Sequence, residues 1–257
     1  MPTNKTLIWI AAVVAGALTV TVAAYVALDR YSRTLDALMK DTLVHVAHVE
    51  SYSQDVTTEV AFPDRTLSIV GTYHIDRKAR NYASFSTSTL KIAELGEHTF
   101  SVENLSLQDT IYTRISTESP LLTTTIPQTN GWKSFPNTAI PKDLENIALP
   151  GPTLDNLLLF GENGRFIQLQ EKMGEEEVHG ERLHRYEFSL SEVFPEHPGP
   201  VRALTERIGA AGRITVWVDA TSAMIRHIRF ENDTYSSETM ISNVDTPLAI
   251  PAPLIAP

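Results

Sequence analysis

The 257-residue chain contains no cysteine. That excludes disulfides, cysteine-ligated zinc and cysteine nucleophiles, and it removes the lipid-accepting cysteine of a lipobox. Positive charge is also scarce, with 21 Lys and Arg against 31 Asp and Glu and a net charge of −10. Nucleic-acid binders need a basic footprint, so nucleic acid is not expected as a partner. Extended docking on anionic lipid is disfavoured for the same reason. Catalytic signatures are missing too: Gly-x-Ser-x-Gly, Ser-x-x-Lys and a phosphate-cradling glycine loop do not occur. FGENGR (160–165) precedes a strand and reads as a turn. Of the 8 histidines, none has the His-Glu-x-x-His spacing of a zinc helix. His45 and His48 stand at i, i+3, and His179 and His184 would point to opposite faces of a strand. The run Glu175, Glu176, Glu177 reads as a solvated acidic turn. No catalytic residue, metal site or cofactor is expected.

What the sequence has is one long apolar run and many short β-type segments. Leu7 to Leu28 carries no charge. At about 1.5 Å per residue it matches the roughly 30 Å hydrocarbon core of a bilayer. Trp9 and Tyr25 lie near its ends, where amphipathic rings prefer the interface. A signal peptide cleaved near Ala23 and Ala24 is the competing reading, but its apolar region is usually only about 7–15 residues. The segment 1–29 is therefore expected to be an uncleaved membrane anchor. Lys5 before the span and Arg30, Arg33 and Lys40 after it would by count favour the reverse orientation. The β-rich character of the chain beyond the span favours a single-pass protein whose C-terminal domain is extracytoplasmic.

Leu35, Leu38, Met39, Val46 and Val49 have the spacing of an amphipathic helix. Strands are expected at 53–62, 66–76, 81–95, 98–107 and 109–117, each bounded by turn residues. A proline-rich stretch from Pro127 to Pro152 comes next, with NGWKSFPN as a loop or short edge strand and short helices near 141–144 and 153–160. Strands are expected again at 165–173 and after the acidic turn up to 191, then a helix at 200–212, a hairpin across 212–232 and a strand at 234–244. The result is one α+β domain, 30–245, built on a large antiparallel sheet, with a Pro-rich C-terminal tail, 246–257.

Within these strands apolar residues alternate with polar ones, marking one buried and one wetter face. Leu67, Ile69 and Tyr73 share a face, as do Tyr186 and Phe188, and Ile228 and Phe230; Trp217 supplies a further large aromatic. These eight residues are the candidate lining of an apolar cavity.

The segment Gly180-Glu-Arg-Leu-His-Arg-Tyr-Glu-Phe188, a helix, and then the hairpin Gly212-Arg-Ile-Thr-Val-Trp-Val-Asp-Ala-Thr-Ser-Ala-Met-Ile-Arg-His-Ile-Arg-Phe230 resemble the C-terminal half of the LolA/LolB-like lipoprotein-carrier family. They are similar also to the mycobacterial lipid-binding lipoproteins of related fold. Val178, Gly180, Tyr186, Phe188, Trp217, Asp219, Thr221, Ile225 and Arg226 fill the pattern positions, and the order of elements matches over roughly 35–245. The resemblance implies a curved, unclosed antiparallel sheet, a half-barrel, with helices covering its concave face. It implies an apolar ligand, a lipid or the acyl chain of an acylated protein, held in a cavity. A tethered chain without a lipobox departs from the shuttling members. The expectation is a membrane-anchored bacterial envelope protein that binds an apolar ligand. The alternative is a structural or regulatory ectodomain that binds an envelope protein partner.

Overall fold

The computed structural model describes residues 37–123, 131–136, 154, 172–189, 212–248, 250, 251 and 253. The apolar run 7–28, the helices expected near 141–144, 153–160 and 200–212, and most of the strand at 165–173 lie outside them. Among the described residues no helix is long and apolar enough to cross a membrane.

The described chain opens with a helix, α1 (37–48), which buries Met39, Thr42 and Val46 on one face. Arg77 closes its C-terminal end by donating from Nη1 to the carbonyls of Val46 at 2.8 Å and Val49 at 3.0 Å. Eleven strands follow: β1 (Ser51–Ala61), β2 (Arg65–Asp76), β3 (Asn81–Ile92), β4 (Gly96–Leu107), β5 (Thr110–Thr117), β6 (Lys133–Pro136), β7 (Lys172–Val178), β8 (Glu181–Ser189), β9 (Arg213–Asp219), β10 (Met224–Glu231) and β11 (Tyr235–Ser242). A single turn of helix, α2 (Pro120–Thr123), lies between β5 and β6.

All eleven strands form one sheet, in the order β6-β5-β4-β3-β2-β1-β11-β10-β9-β8-β7. Every pairing is antiparallel. Two meanders, β1–β6 and β7–β11, are thus joined by one non-local pair, β1 with β11, in register from Ser53↔Ser242 to Val60↔Tyr235. The sheet does not close on itself. An open sheet of this width curls around its packed face.

That packed inner face carries one contiguous core from β2 to β8. Tyr73 and Ile75 of β2, Tyr52 and Val56 of β1, Ile228 and Phe230 of β10, Ile214, Val216 and Val218 of β9, and Tyr186 and Phe188 of β8 join Met39 and Val46 of α1 in it. In β10 the register shifts between Ile225 and His227. This bulge lets Ile225 face inward although it stands three positions from Ile228, an offset that regular alternation would turn to the other face.

Contrary to the sequence expectation, residues 174–178 do not form an acidic turn; they complete β7, paired with β8 from Lys172↔Glu187 to Val178↔Glu181. The turn is the next pair, His179 (φ 52°) and Gly180 (φ 82°), whose two left-handed residues suit a two-residue hairpin. Glu175, Glu176 and Glu177 are exposed at the sheet edge, so their strand lacks the apolar alternation that would announce it.

Gly71 marks the tightest backbone approach on the inner face. A Cβ there would sit 3.0 Å from Ser86 Cβ, 3.0 Å from the Tyr73 hydroxyl and 3.1 Å from the Phe85 carbonyl. Tyr73 therefore folds back over the glycine. In urea denaturation, Gly71→Ala is expected to lower stability by roughly 1–3 kcal/mol through overpacking. An unchanged or raised midpoint, the ordinary result of Gly→Ala in a strand, would show that Tyr73 is not seated there.

Candidate functional site

Strand parity sorts the eight candidate residues. Leu67, Ile69, Tyr73, Tyr186, Phe188, Ile228 and Phe230 share the inner face through the rows Phe188↔Ile214↔Phe230 and Tyr186↔Val216↔Ile228 and through β2's own alternation. Trp217 does not. It pairs with His227 and Arg185 on the outer face. Its expected place among the lining residues rested on its being a large aromatic; the parity of β9, with Val216 and Val218 inward, turns it the other way.

The inner face is itself divided. Tyr186, Phe188, Ile214, Val216, Ile228 and Phe230 are fully buried at 0% exposure, closed over by α1 and Leu154. Leu67 and Ile69, on the other half, are only half-buried, and so are Leu90, Phe100 and Phe135 beside them. Phe100 and Phe135 pack on a second, smaller apolar cluster, Val102 with Ile115. Between the two clusters lies β3, whose inward residues include Ser84, Ser86 and Ser88. Ser86 pairs with Gly71 on one side and Val102 on the other, and Ser88 pairs with Ile69 and Phe100. Serines and a glycine flanked by Ile69, Val102 and Phe100 give a shallow trough, a strip of small side chains between larger apolar ones: Ser84, Ser88 and Val102 are buried, Tyr73 covers Gly71, and Ser86, Ile69 and Phe100 are partly exposed. The signal for it in the sequence is the Ser-x-Ser-x-Ser of ASFSTSTL, which aromatic-weighted reasoning passes over.

One end of the trough is polar. Thr113 Oγ1 donates to Asn104 Oδ1 at 2.8 Å, and Asn104 Nδ2 donates to Ser84 Oγ at 3.5 Å. The rings of Tyr73 and Tyr82 lie 6.3 Å apart at this end. Burial, with a smaller effect from Tyr235, pushes the Tyr73 hydroxyl up to about 12. Burial also raises Tyr82 well above the ordinary phenol range. Both phenols stay neutral at physiological pH, as a low-dielectric surface requires. Nearby Gln54 is fully buried with neither amide atom paired. Among the described residues no three His, Asp or Glu side chains come together to hold a metal ion.

The outer face under β7–β11 is a packed charged layer. The Trp217 ring stacks on His227 with centroids 4.5 Å apart, and Trp217 Nε1 donates to Glu176 Oε2 at 2.9 Å. The Arg229 guanidinium lies 5.6 Å from the Trp217 centroid and donates to Glu238 at 2.8 Å. His227 Nε2 also lies 2.8 Å from Glu238, without hydrogen-bond alignment. Burial lowers the His227 pKa; Glu238 opposes the shift, and Arg229 and His179 add to it. A histidine depressed on folding stabilises the native state fully above its unfolded pKa, and that contribution is lost as pH falls through the folded value. Wild-type stability is therefore expected to fall from near pH 6.5 downward, and His227→Gln to flatten the profile between pH 6.5 and 5. Parallel urea midpoints for the two proteins across that window would contradict the assignment.

No family model matches this chain, and no curated protein matches it. Solved structures do. LprF from Mycobacterium bovis shares 16% identity, the match covering 85% of this chain and 96% of that one, with a TM-score of 0.50. The Mycobacterium tuberculosis lipoprotein LppX shares 11% identity over 85% of this chain and 99% of that one, with a TM-score of 0.48. The overlay with LprF bears out, at the level of the fold, the resemblance read from the sequence: a wide, unclosed antiparallel sheet packed on one face.

Proposed function

We propose that this chain is a membrane-anchored, extracytoplasmic binding protein for a lipid or other acyl-chain ligand, laid in the trough over β2–β5. The observation that supports this most directly is the uneven closure of the inner face. One half is sealed as a protein core. The other half leaves Leu67, Ile69, Leu90, Phe100 and Phe135 partly exposed around Ser86, itself partly exposed. Water-exposed apolar surface lost on binding contributes about 25 cal/mol per Å², so an acyl chain covering these side chains gains affinity without any charged contact. Ligand sites of this kind are concave and mostly apolar, with few polar groups placed to orient the ligand. Asn104, Ser84 and Thr113 supply such groups.

Membrane attachment is inferred from the sequence. Leu7–Leu28 would hold the domain to the membrane, from which a lipid could be taken up, and the lack of a lipobox cysteine makes that segment the means of attachment. The middle of the trough is lined by hydroxyls, an amide and apolar side chains, with His98 and Lys133 on the same parity at its margins. A partner adding a strand at the sheet edges finds poor templates. β6 is four residues long and ends in Pro136, and β7 presents Glu175, Glu176 and Glu177.

Native mass spectrometry of the full chain released from detergent is expected to show retained lipid. Ser86→Leu, which fills the trough floor, is expected to abolish that retention at a stability cost of about 1–3 kcal/mol, with a cooperative urea transition showing that the variant still folds. A wild-type protein that carries no lipid and takes up no fluorescent fatty acid would overturn the proposal, as would undiminished retention in Ser86→Leu.

A further inference from the structure

We propose that the outer face carries a second site, independent of the trough: a pocket for a small aromatic molecule bearing a hydrogen-bond donor. The pocket lies on the opposite side of the sheet. Its floor is Thr72 and His74 of β2, Ala83 and Phe85 of β3, and Glu103 and Leu105 of β4, all on the outward parity. Its walls are Trp132, just before β6, and Ile250, Pro251 and Pro253 of the C-terminal segment. The volume is about 320 Å³. Ligand pockets run from roughly 300 to 1,000 Å³, so this one is at the small end and has room for a small ring compound.

Two devices build it. The C-terminal segment is tethered where it leaves β11: Asp245 N donates to the Ser51 carbonyl at 2.7 Å, Asp245 Oδ1 accepts from Glu50 N at 2.7 Å, and Ser51 Oγ donates to the Thr246 carbonyl at 2.9 Å. From there its prolines, with φ fixed by their rings, form a stiff wall that loses little entropy on being held. The second device is Arg114. Its guanidinium lies 5.0 Å from the Trp132 centroid, and its Nε donates to Glu103 Oε1 at 2.9 Å. The cation occupies one face of the indole and fixes the ring against the floor. The remaining ring surface and the 51% exposed Phe85 are what a guest can stack on.

The polar groups select the guest. Thr72 Oγ1 is committed to Asp55 Oδ1 at 2.7 Å, and His74 Nδ1 to Ser53 Oγ at 2.8 Å. Arg114 uses Oε1 of Glu103 at both of its contacts, leaving Oε2 as an acceptor. An acceptor carboxylate oxygen favours a phenol- or indole-type donor.

The chain has 3 tryptophans, so the Trp132 indole N–H resonance can be identified by its loss in Trp132→Phe. The full chain in lipid nanodiscs is titrated with 2-naphthol and with 2-methoxynaphthalene, and partitioning into empty nanodiscs is subtracted. A saturable shift of Trp132 is expected, with Trp217 unmoved. The methoxy compound should bind about tenfold more weakly, the worth of one hydrogen bond. Ala83→Leu, which fills the floor, should abolish the shift. If Ala83→Leu disturbs the Trp217 signal, Phe85→Ala takes its place, with weakened binding expected. Absence of a saturable Trp132 shift, equal affinity for the two probes, or no effect of the folded variant would overturn the proposal.

Discussion

The pairing of β1 with β11 is the constraint on which the rest depends. Each meander is made of sequential hairpins and could form locally, but neither has a partner for its first or last strand. Joining Ser53–Val60 to Tyr235–Ser242 merges them and sets which residues of both face inward. A slip of one residue would turn Tyr52 and Val56 out and leave the apolar rows of β8–β10 without their opposite numbers. The register is held inside by the buried Thr58–Ser237 hydroxyl contact at 2.7 Å and at the end by Asp245 bonding back to Ser51. The same hook starts the C-terminal segment along the outer face, so one non-local contact shapes both sides of the sheet.

From that join the two halves diverge. Over β8–β10 the inner side chains Tyr186, Phe188, Ile214, Val216, Ile228 and Phe230 are large and fully covered, each worth about 1.5–3 kcal/mol by burial, and this half has the character of a protein core. Over β2–β5 the inward residues shrink to serine and glycine on β3 and β2; Val102 and Ile115 are buried there, while Leu67, Ile69, Leu90 and Phe100 stay partly exposed. The closed core and the proposed binding surface thus lie on different strands of one sheet. The outer face is divided the same way: a charged Trp217–His227–Arg229–Glu238 layer behind the sealed half, and a pocket walled by the proline segment behind the open half.

Much of the fold was legible in the sequence, because period-two alternation and turn residues are local signals. The strands expected at 53–62, 66–76 and 98–107 correspond to β1, β2 and β4 within about two residues. β7 escaped because an exposed edge strand has no need of apolar residues. The β1–β11 join is non-local and leaves no pattern in either strand. For the site, parity placed Leu67, Ile69, Tyr73, Tyr186, Phe188, Ile228 and Phe230 on one face, while Trp217 was grouped with them for its size. The division of that face into sealed and open halves depends on what covers each strand, which composition does not encode. The serine floor was visible in ASFSTSTL but has meaning only once Ile69 and Phe100 stand on either side of it.

The absence of cysteine makes the central division directly measurable, since any thiol introduced is the only one in the chain. Ile69→Cys and Ile228→Cys place a thiol on the same inner face, one in the open half and one in the sealed half. Reaction with a maleimide under native conditions is predicted to be fast at the first and on the order of a hundredfold slower at the second, where labelling requires unfolding. Equal rates at the two positions would mean that the inner face is uniformly closed or uniformly open, and would contradict the account.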